Sequence, residues 1–336
     1  MVLFVQPPES FEPPSILYLL LTCPVKLLLH HAYHLLVYLR TAPTPLDPPV
    51  RIVCISDTHT MKSDIPPGDI LIHAGDLTNS GSIPTIQKQI DWLASLPHKH
   101  KIAIAGNHDT YLDPRTRSSL SEPDRSGHLD WKNICYLQHH SITLTIASKL
   151  STPTSTSQLL GPTRTRQIRF YGAPQIPACG PMSVFAFQYE RGLDAWSDTI
   201  PNDTTVLITH TPPKNHLDLS LPSGLGCEHL LAEVKRVKPT LHIFGHVHWG
   251  AGNEICWWDG CQEAYERGME REQGWSRGLL DWRLWREIVR VVVYGMKGLV
   301  WDKVWGGQGR STRMVNASLM KGSTAKLDNP VQVVEI

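Results

Sequence analysis

The sequence has almost no excess charge of either sign. Its 32 Lys and Arg residues against 31 Asp and Glu residues give a formal net charge of +1. A nucleic-acid-binding domain normally carries a strong basic excess, because neutralising phosphates supplies much of its affinity. The charge balance therefore gives no support for a nucleic-acid partner. Contents of 41% hydrophobic and 19% charged residues are ordinary for a globular protein.

The sequence also lacks a disulfide framework. Seven cysteines are scattered over 336 residues, which is an odd number without a regular spacing. Such a set favours a reducing compartment, so we expect a cytoplasmic protein. Cys256 and Cys261 are close together, but no second Cys/His pair at zinc spacing accompanies them. This absence argues against a structural zinc site.

A clean membrane-spanning segment is missing as well. The apolar run at 16–39 carries a proline, a lysine and three histidines, whereas a spanning helix needs about 20 mostly apolar residues. No basic residue precedes it and no small-residue cleavage site stands out, which disfavours a signal peptide. Three interpretations stay open: a helix packed on the domain, an interfacial helix that contacts a membrane surface, and a signal-anchor. With the Pro-rich linker at 42–49, residues 1–49 are predicted to precede a main domain at 50–336.

From residue 50 onward, short apolar runs alternate with more polar segments. Continuous apolar runs are typical of parallel strands that are covered on both faces. We therefore predict helices at 82–96 and 227–237, and no internal repeat. The predicted strands are 51–56, 69–73, 100–105, 142–147, 167–172, 204–209, 241–244, 312–317 and 331–336.

Two segments depart from this alternation. The Ser/Thr-rich stretch 151–166 is predicted to be a flexible surface loop. The segment 254–287 is charged and Trp-rich, and it is predicted to form one or two surface helices in an insert at about 254–306. Its tryptophans could form a wall beside the functional site or pack on the core, and we favour packing. Exposed tryptophans would instead suit a hydrophobic substrate or a membrane surface.

Side chains that bind metals follow five of the predicted strands. In an open α/β sheet, ligands bind at the carboxyl ends of the strands, so we expect these side chains to lie together. His73 stands one position before such a turn and is predicted to be a buried, hydrogen-bonded histidine. The five blocks are Asp57-Thr58-His59, Gly75-Asp76, Gly106-Asn107-His108-Asp109, Thr209-His210 and Gly245-His246-Val247-His248.

The residue types in these blocks predict a metal centre. Imidazole, carboxylate and amide oxygen suit Mn, Fe and Zn, and the absence of thiolates argues against a structural zinc cage. Asp57 and His59 lie two apart on an extended loop, so both can face one ion, and His246 and His248 repeat this spacing. Two ions about 3.5–4 Å apart need a bridging carboxylate, for which Asp76 is the natural candidate. An isolated histidine at a strand end is usually only a hydrogen-bonded polar residue, so the prediction depends on the blocks occurring together.

In this order, the blocks resemble those of the calcineurin-like metallophosphoesterase superfamily, over residues 50–249. The Thr-His-Thr-Pro-Pro block at His210 and the Asn-Ala-Ser strand near Asn316 are similar to the metallophosphoesterase-domain-containing proteins. That subgroup is related to class III cyclic-nucleotide phosphodiesterases. One departure is Thr209, where the superfamily often has glycine, and it removes no ligand.

The resemblance implies an α/β fold, a four-layer αββα sandwich of two mixed sheets flanked by helices, with metals at the C-terminal strand edges. It also implies that His108 stands outside both metal shells, as the proton donor to the leaving oxygen or as a transition-state stabiliser, and that Asp109 orients it. The implied ligands are Asp57, His59 and His248 for the first divalent ion, Asn107, His210 and His246 for the second, and Asp76 for the bridge.

The implied activity is hydrolysis of a phosphodiester or phosphomonoester by a metal-activated hydroxide, with Mn, Fe or Zn as the expected metals. The subgroup favours diesters, but substrate choice depends on pocket walls that motifs do not specify. The alternative is a non-catalytic metal-binding scaffold that docks partners through the Trp-rich insert. His108 and Asp109 count against a scaffold, which would need no proton donor. The sequence does not indicate an oligomeric state.

Overall fold

The computed structural model describes residues 11–45, 47–149, 163–271 and 279–336. Its helices are α1 Ile16–Thr22, α2 Pro24–Tyr38, α3 Ile83–Ser95, α4 Glu122–Arg125, α5 Glu228–Val237, α6 Gly260–Met269 and α7 Trp282–Lys303. Its strands are β1 Arg51–Ile55, β2 Ile70–Ala74, β3 His100–Ile104, β4 Cys135–Tyr136, β5 His140–Lys149, β6 Thr163–Ala173, β7 Ile176–Pro177, β8 Gln188–Tyr189, β9 Val206–Thr209, β10 Leu241–Phe244, β11 Gly252–Trp257, β12 Ser311–Asn316 and β13 Gln332–Glu335.

Two mixed sheets form the body of the molecule. The first has the order β13-β1-β2-β3-β4 and is parallel except for β13 at one edge. The second has the order β11-β12-β10-β9-β6-β5, with antiparallel strands at both edges of a parallel centre. Parallel strands bring their carboxyl ends to the same edge of a sheet, so the predicted metal ligands share one edge in each sheet.

The strands of the first sheet are apolar on both faces because both faces are covered. Side chains alternate between faces along a strand. Ile52 therefore joins the apolar cluster between the two sheets, whereas Val53 joins the cluster beneath α3. In that second cluster, Ile86 and Ile90 of α3 are fully buried. Each such side chain contributes about 1.5–3 kcal/mol through burial.

The second sheet is covered in the same way by α5. Ile208 faces the cluster between the sheets, and Leu207 faces the outer cluster. Leu230 and Val234 of α5 complete that outer cluster and are fully buried. The order is thus helix, sheet, sheet, helix, and the predicted four-layer αββα sandwich is confirmed.

A further helical layer joins the N-terminal helices to α6 and α7. Tyr33 of α2 stacks on Tyr265 of α6 with ring centroids 4.0 Å apart, and its hydroxyl donates to Gln262. Leu36 of α2 packs against Gly295 of α7. The buried side chains of α1, α2, α6 and α7 form one apolar cluster. The division at residue 49 stays a prediction, but the helices before it share a core with helices far along the chain.

The N-terminal segment is two helices rather than one. Among the described residues, no single helix has both the length and the apolar composition to cross a membrane. The pair α1 and α2 reaches both together, with a bend of 118° between them. One side of α2, with Leu29, Tyr33 and Leu36, is buried in the helical layer. This burial agrees with the first of the three interpretations, a helix packed on the domain.

The structure of the Trp-rich segment differs from two predictions. Residues 254–257 lie in the edge strand β11, not in a helix, and α6 is largely buried rather than a surface helix. The packing that we favoured for the tryptophans holds for Trp257, which is 2% exposed, and for Trp258, which is half-buried against the outer cluster of the second sheet. It is wrong for four others, whereas Trp275 lies outside the described residues. The four exposed ones are Trp282, Trp285, Trp301 and Trp305.

The loop predicted at 151–166 is also corrected in part. Residues 151–162 lie outside the described residues, and 163–166 belong to β6, which pairs with β5.

Tyr33→Ala is expected to lower the free energy of unfolding by about 3–5 kcal/mol, because it removes a buried aromatic ring from the helical layer. Urea unfolding measures the change. Tyr38→Ala is a matched control on the same helix, since Tyr38 is 84% exposed and its loss should stay within about 0.5 kcal/mol. Equal losses for both variants would contradict the assigned packing of α2.

Candidate metal centre

Side chains from the loops after β1, β2, β3, β9 and β10 meet in three overlapping groups. Within each group, the possible ligand atoms lie within 4.8 Å of one another. The sequence predicted these blocks to converge, and five of its seven ligand positions belong to the groups. The groups are Asp57, His59 and His248; His59, Asp76 and His108; and Asp57, Asp76 and His210.

The first group consists of the three ligands predicted for the first ion. The Nε2 atoms of His59 and His248 are 3.4 Å apart. His248 Nε2 lies 3.5 Å from Asp57 Oδ1. These are one carboxylate and two imidazole ligands from two different strand ends, a donor set that suits a first-row divalent ion.

Asp76 lies between ligands of the two predicted ions. Its Oδ2 lies 3.7 Å from His59 Nε2 and 3.4 Å from His210 Nε2. Asn107 Oδ1 is 3.0 Å from the same His210 nitrogen. Asp76 thus reaches ligands of both predicted ions, although Asp57 also belongs to two of the groups.

His246 lies beside these groups rather than in them. Its ring centroid is 5.2 Å from that of His210, and its backbone N–H donates to the carboxylate of Asp57 at 3.1 Å. Burial, together with the charge of His210, lowers the pKa of His246 to about 3. Its imidazole is therefore neutral at physiological pH, which is the form that binds a metal.

Backbone carbonyls orient two of the histidines. His210 Nδ1 is 2.9 Å from the carbonyl oxygen of Ala74, and His248 Nδ1 is 2.7 Å from that of Gly322. Because a carbonyl can only accept, Nδ1 carries the hydrogen in both bonds. Nε2 is then the ring nitrogen that faces the position of an ion, which is the usual arrangement around metal-binding histidines.

The loops that carry the ligands are strained. Four of the predicted ligands have left-handed backbone angles: Asp57 (φ 52°), His59 (φ 45°), Asp76 (φ 53°) and His246 (φ 68°). Such angles are uncommon for residues other than glycine, although Asp and His adopt them more readily than most, and they cluster at functional sites. At Gly245, a Cβ atom would overlap Ser56 and Asp57, so the glycine of the last block is needed for close approach of two loops.

Electrostatics at the centre favour cations. Burial acts to raise the pKa of Asp57, but the hydrogen bond and charge of His248 hold it below its usual range. Burial likewise acts to lower the pKa of His210, but the charge of Asp76 raises it to about 9. Within the described residues, His59 Nδ1 is buried without a hydrogen-bond partner. Buried carboxylates, imidazoles and an amide oxygen that converge in this way fit divalent metal ions.

His108 and Asp109 are placed differently from each other. His108 lines the cleft, with Nδ1 3.3 Å from the carbonyl oxygen of Asn79. Asp109 is fully buried and accepts hydrogen bonds from the backbone N–H groups of Leu77, Thr78 and Gly106. The Asp109 carboxylate therefore holds the two ligand-bearing loops together, and its role in orienting His108 stays a prediction.

The sequence missed most of the walls of the metal cleft, which has a volume of about 410 Å³. Phe185 meets the His108 ring edge-on with centroids 5.1 Å apart, and Phe11 meets the His246 ring at 5.5 Å. No local signal identifies these residues, because they reach the cleft only through the tertiary fold. His73 behaves as predicted, buried and hydrogen-bonded to Thr58 at 3.0 Å.

The family comparison agrees with this geometry. The family model described as calcineurin-like phosphoesterase matches residues 50–250. The chain belongs to the calcineurin-like phosphoesterase family. The match ends just beyond His248, so it covers all the predicted ligands of this calcineurin-like phosphoesterase.

Several named proteins are similar to the chain. A protein of Emericella nidulans named probable rhamnogalacturonate lyase C is 40% identical over 81% of this chain and 23% of its own length. The UPF0046 protein K07C11.7 of Caenorhabditis elegans is 34% identical over 62% of this chain and 67% of its own length. Human metallophosphoesterase domain-containing protein 1 is 35% identical over 62% of this chain and 65% of its own length. The chain thus spans about a quarter of the fungal relative and about two thirds of the animal ones, and the predicted subgroup is confirmed.

The similarity to a solved structure is weak. A crystal structure of TT1561 of Thermus thermophilus aligns with a TM-score of 0.35 and 12% identity. The alignment covers 62% of this chain and 84% of that one.

Asp109→Ala is expected to destabilise this calcineurin-like phosphoesterase by about 3 kcal/mol, because several buried donors lose their acceptor. Burial and the charge of Asp76 raise the pKa of Asp109 to about 6. Urea unfolding measures the loss, and elemental analysis should show less metal, since Asp76 and Asn107 lie on the loops it holds. Asp130→Ala, at an exposed aspartate, is the control. A fully stable Asp109→Ala variant would remove this structural role.

Proposed function

We propose that the protein is a dinuclear-metal-dependent phosphoesterase that hydrolyses a phosphodiester or a phosphomonoester. The observation that carries this proposal is the position of Asp76. One of its carboxylate oxygens lies within 3.7 Å of ligand nitrogens from both predicted ion sites. A carboxylate shared by two ions is the feature that distinguishes a two-metal centre from a single-metal one.

The proposed ligands divide as the family resemblance implies. We assign Asp57, His59 and His248 to one divalent ion and Asn107, His210 and His246 to the other. Ions of the Mn, Fe or Zn type would activate the attacking water and neutralise the phosphoryl oxygens. The carbonyls of Ala74 and Gly322 keep the histidine rings aimed at this position, and burial of the carboxylates excludes bulk water.

His108 is the proposed proton donor to the leaving oxygen. Its Nδ1 can donate to the Asn79 carbonyl, which leaves Nε2 for the cleft. Its backbone N–H donates to Asp76 Oδ1 at 2.8 Å, so the ring is held next to the metal ligands. His108 also belongs to one possible ligand group, and the experiment on His108 in the Discussion separates the two roles.

The cleft walls bear on the substrate. Phe11, Phe185 and Met320 line the space beside the metal ligands. We propose that they contact an apolar or aromatic part of the ester, since apolar walls with a few polar groups are typical of small-molecule sites.

Hydrolysis of two chromogenic esters tests the proposal. Bis-p-nitrophenyl phosphate reports diester turnover and p-nitrophenyl phosphate reports monoester turnover, each with added manganese. We expect metal-dependent turnover of at least one, strongly reduced in Asp57→Asn. The exposed variant Asp64→Asn is the matched control and should keep wild-type activity.

The alternative is a non-catalytic metal-binding scaffold. It predicts bound metal without turnover of either ester. The pair of measurements, metal content and turnover on the same preparation, therefore separates the two functions.

A further inference from the structure

Helix α7 has two apolar stripes on opposite sides. One stripe, with Leu284, Ile288 and Val291, is buried in the helical layer. A globular surface helix needs only this one, with polar residues opposite. The second stripe recurs every three or four residues and is exposed. Its members, which we call the outer stripe, are Trp282, Trp285, Val289, Val292, Val293, Met296, Val300 and Val304.

The exposed charged residues of α7 all have one sign. Within α7, which is fully described, the two acidic side chains are buried. Glu287 is 2% exposed and accepts from Arg267 and Arg290, and Asp302 is 6% exposed and accepts from Arg40. The exposed charged residues are all basic: Arg283, Arg286, Lys297 and Lys303.

The neighbouring N-terminal helices extend this surface. Residues 16–40 contain no Asp or Glu, and α2 packs directly against α7 through Leu36 and Gly295. The outward side of α1 and α2 is apolar, with Leu17 51% exposed and Leu35 59% exposed. An apolar surface without exposed acid therefore continues from α7 onto α1 and α2.

Tryptophans mark both ends of the outer stripe. Trp282 and Trp285 lie in the first turn of α7, and Trp301 and Trp305 lie at its end. Tryptophan is favoured where one side of the ring is apolar and the other is wet. A helix with an apolar stripe, basic flanks and tryptophans fits one that lies in the plane of a lipid surface.

We propose that the outer stripe of α7, with the exposed sides of α1 and α2, docks onto a lipid bilayer that contains anionic headgroups. The membrane contact predicted at 16–39 thus becomes the smaller part of a surface centred on α7. A symmetric contact between two copies fits less well, because it would place basic residues opposite each other with no exposed acid on α7 to pair with them. The docking is independent of the function proposed for the cleft.

Vesicle sedimentation of the full chain tests the docking. Vesicles of phosphatidylcholine, with and without phosphatidylserine, are the probes. We expect the protein to bind the vesicles that contain phosphatidylserine, and binding to weaken as salt rises. Val293→Glu combined with Val300→Glu should weaken binding on the order of 100-fold, because two valines no longer insert.

Two further variants make the test specific. Leu193→Glu changes a residue that is 55% exposed and outside these helices, and it should bind vesicles as the wild type does. Arg283→Gln with Lys297→Gln should weaken binding roughly tenfold or more, and only to vesicles with phosphatidylserine. Unchanged thermal unfolding confirms that each variant is folded.

Three results would overturn the proposal. The wild type could stay in the supernatant with all vesicles, or the Val293→Glu, Val300→Glu variant could bind as tightly as the wild type. Light scattering could also show a dimer in solution that the same variant dissociates, without vesicle binding. That last result would assign the outer stripe to a second copy of the chain.

Discussion

Replacing Asp76 by asparagine is expected to empty both ion sites and to abolish turnover. Asp76 Oδ2 is close to His59 and His210, which belong to different predicted ions. In the variant, either an amide group that donates or a neutral oxygen faces these two nitrogens, so the shared negative charge is lost. Loss of metal-based stabilisation worth several kcal/mol lowers the rate on the order of 10³-fold or more.

The Asp76→Asn substitution is a specific test of the bridge because it keeps the size of the side chain and its other hydrogen bond. Asn keeps an oxygen that can accept from the His108 backbone N–H, as Asp76 Oδ1 does. Elemental analysis of the purified variant should find well under two ions per chain, and the wild type close to two. Asp64→Asn, at an exposed position, should match the wild type. Full occupancy in Asp76→Asn would exclude Asp76 from the bridge.

His108→Ala is expected to lower kcat by about 10²–10⁴-fold while metal content stays near the wild-type value. A positioned proton donor contributes a factor in this range. The loss should be smallest for esters of p-nitrophenol, because that oxyanion departs without needing a proton. The loss of kcat should be largest for alkyl esters, whose leaving oxygen needs a proton.

Two measurements on His108→Ala decide its role. Elemental analysis distinguishes a proton donor from a ligand, which matters because His108 lies within ligand distance of His59 and Asp76. Rates with aryl and alkyl esters distinguish a proton donor from a group that only stabilises charge. Loss of metal, or equal losses for both esters, would contradict the proton-donor role. The exposed His128→Ala is the control.

The sequence by itself determined the core of the fold and the approximate position of the site. Runs such as the one at Ile52 are apolar without interruption because their strands are covered on both faces. Asp57, Asp76 and His210 follow such runs, and parallel strands carry the residues that follow them to one edge. Both signals are local, since each depends on a few consecutive residues and on strand direction.

Only the tertiary structure decided how distant segments meet. Asp109 follows His108 in sequence, yet its carboxylate accepts hydrogen bonds from Leu77 and Thr78 on another loop. Phe11 reaches His246 across more than two hundred residues. Neither contact leaves a pattern in the residues around it.

The Trp-rich segment shows the same limit in its secondary structure and its exposure. Its first residues extend a sheet because β12, more than fifty residues later, offers an unpaired edge. In α7, large apolar residues occur on both sides of the helix, with Val291 buried and Val293 exposed. The composition alone cannot tell which side is buried, because burial is set by where α2 and α6 pack, and those contacts form only when the whole chain has folded.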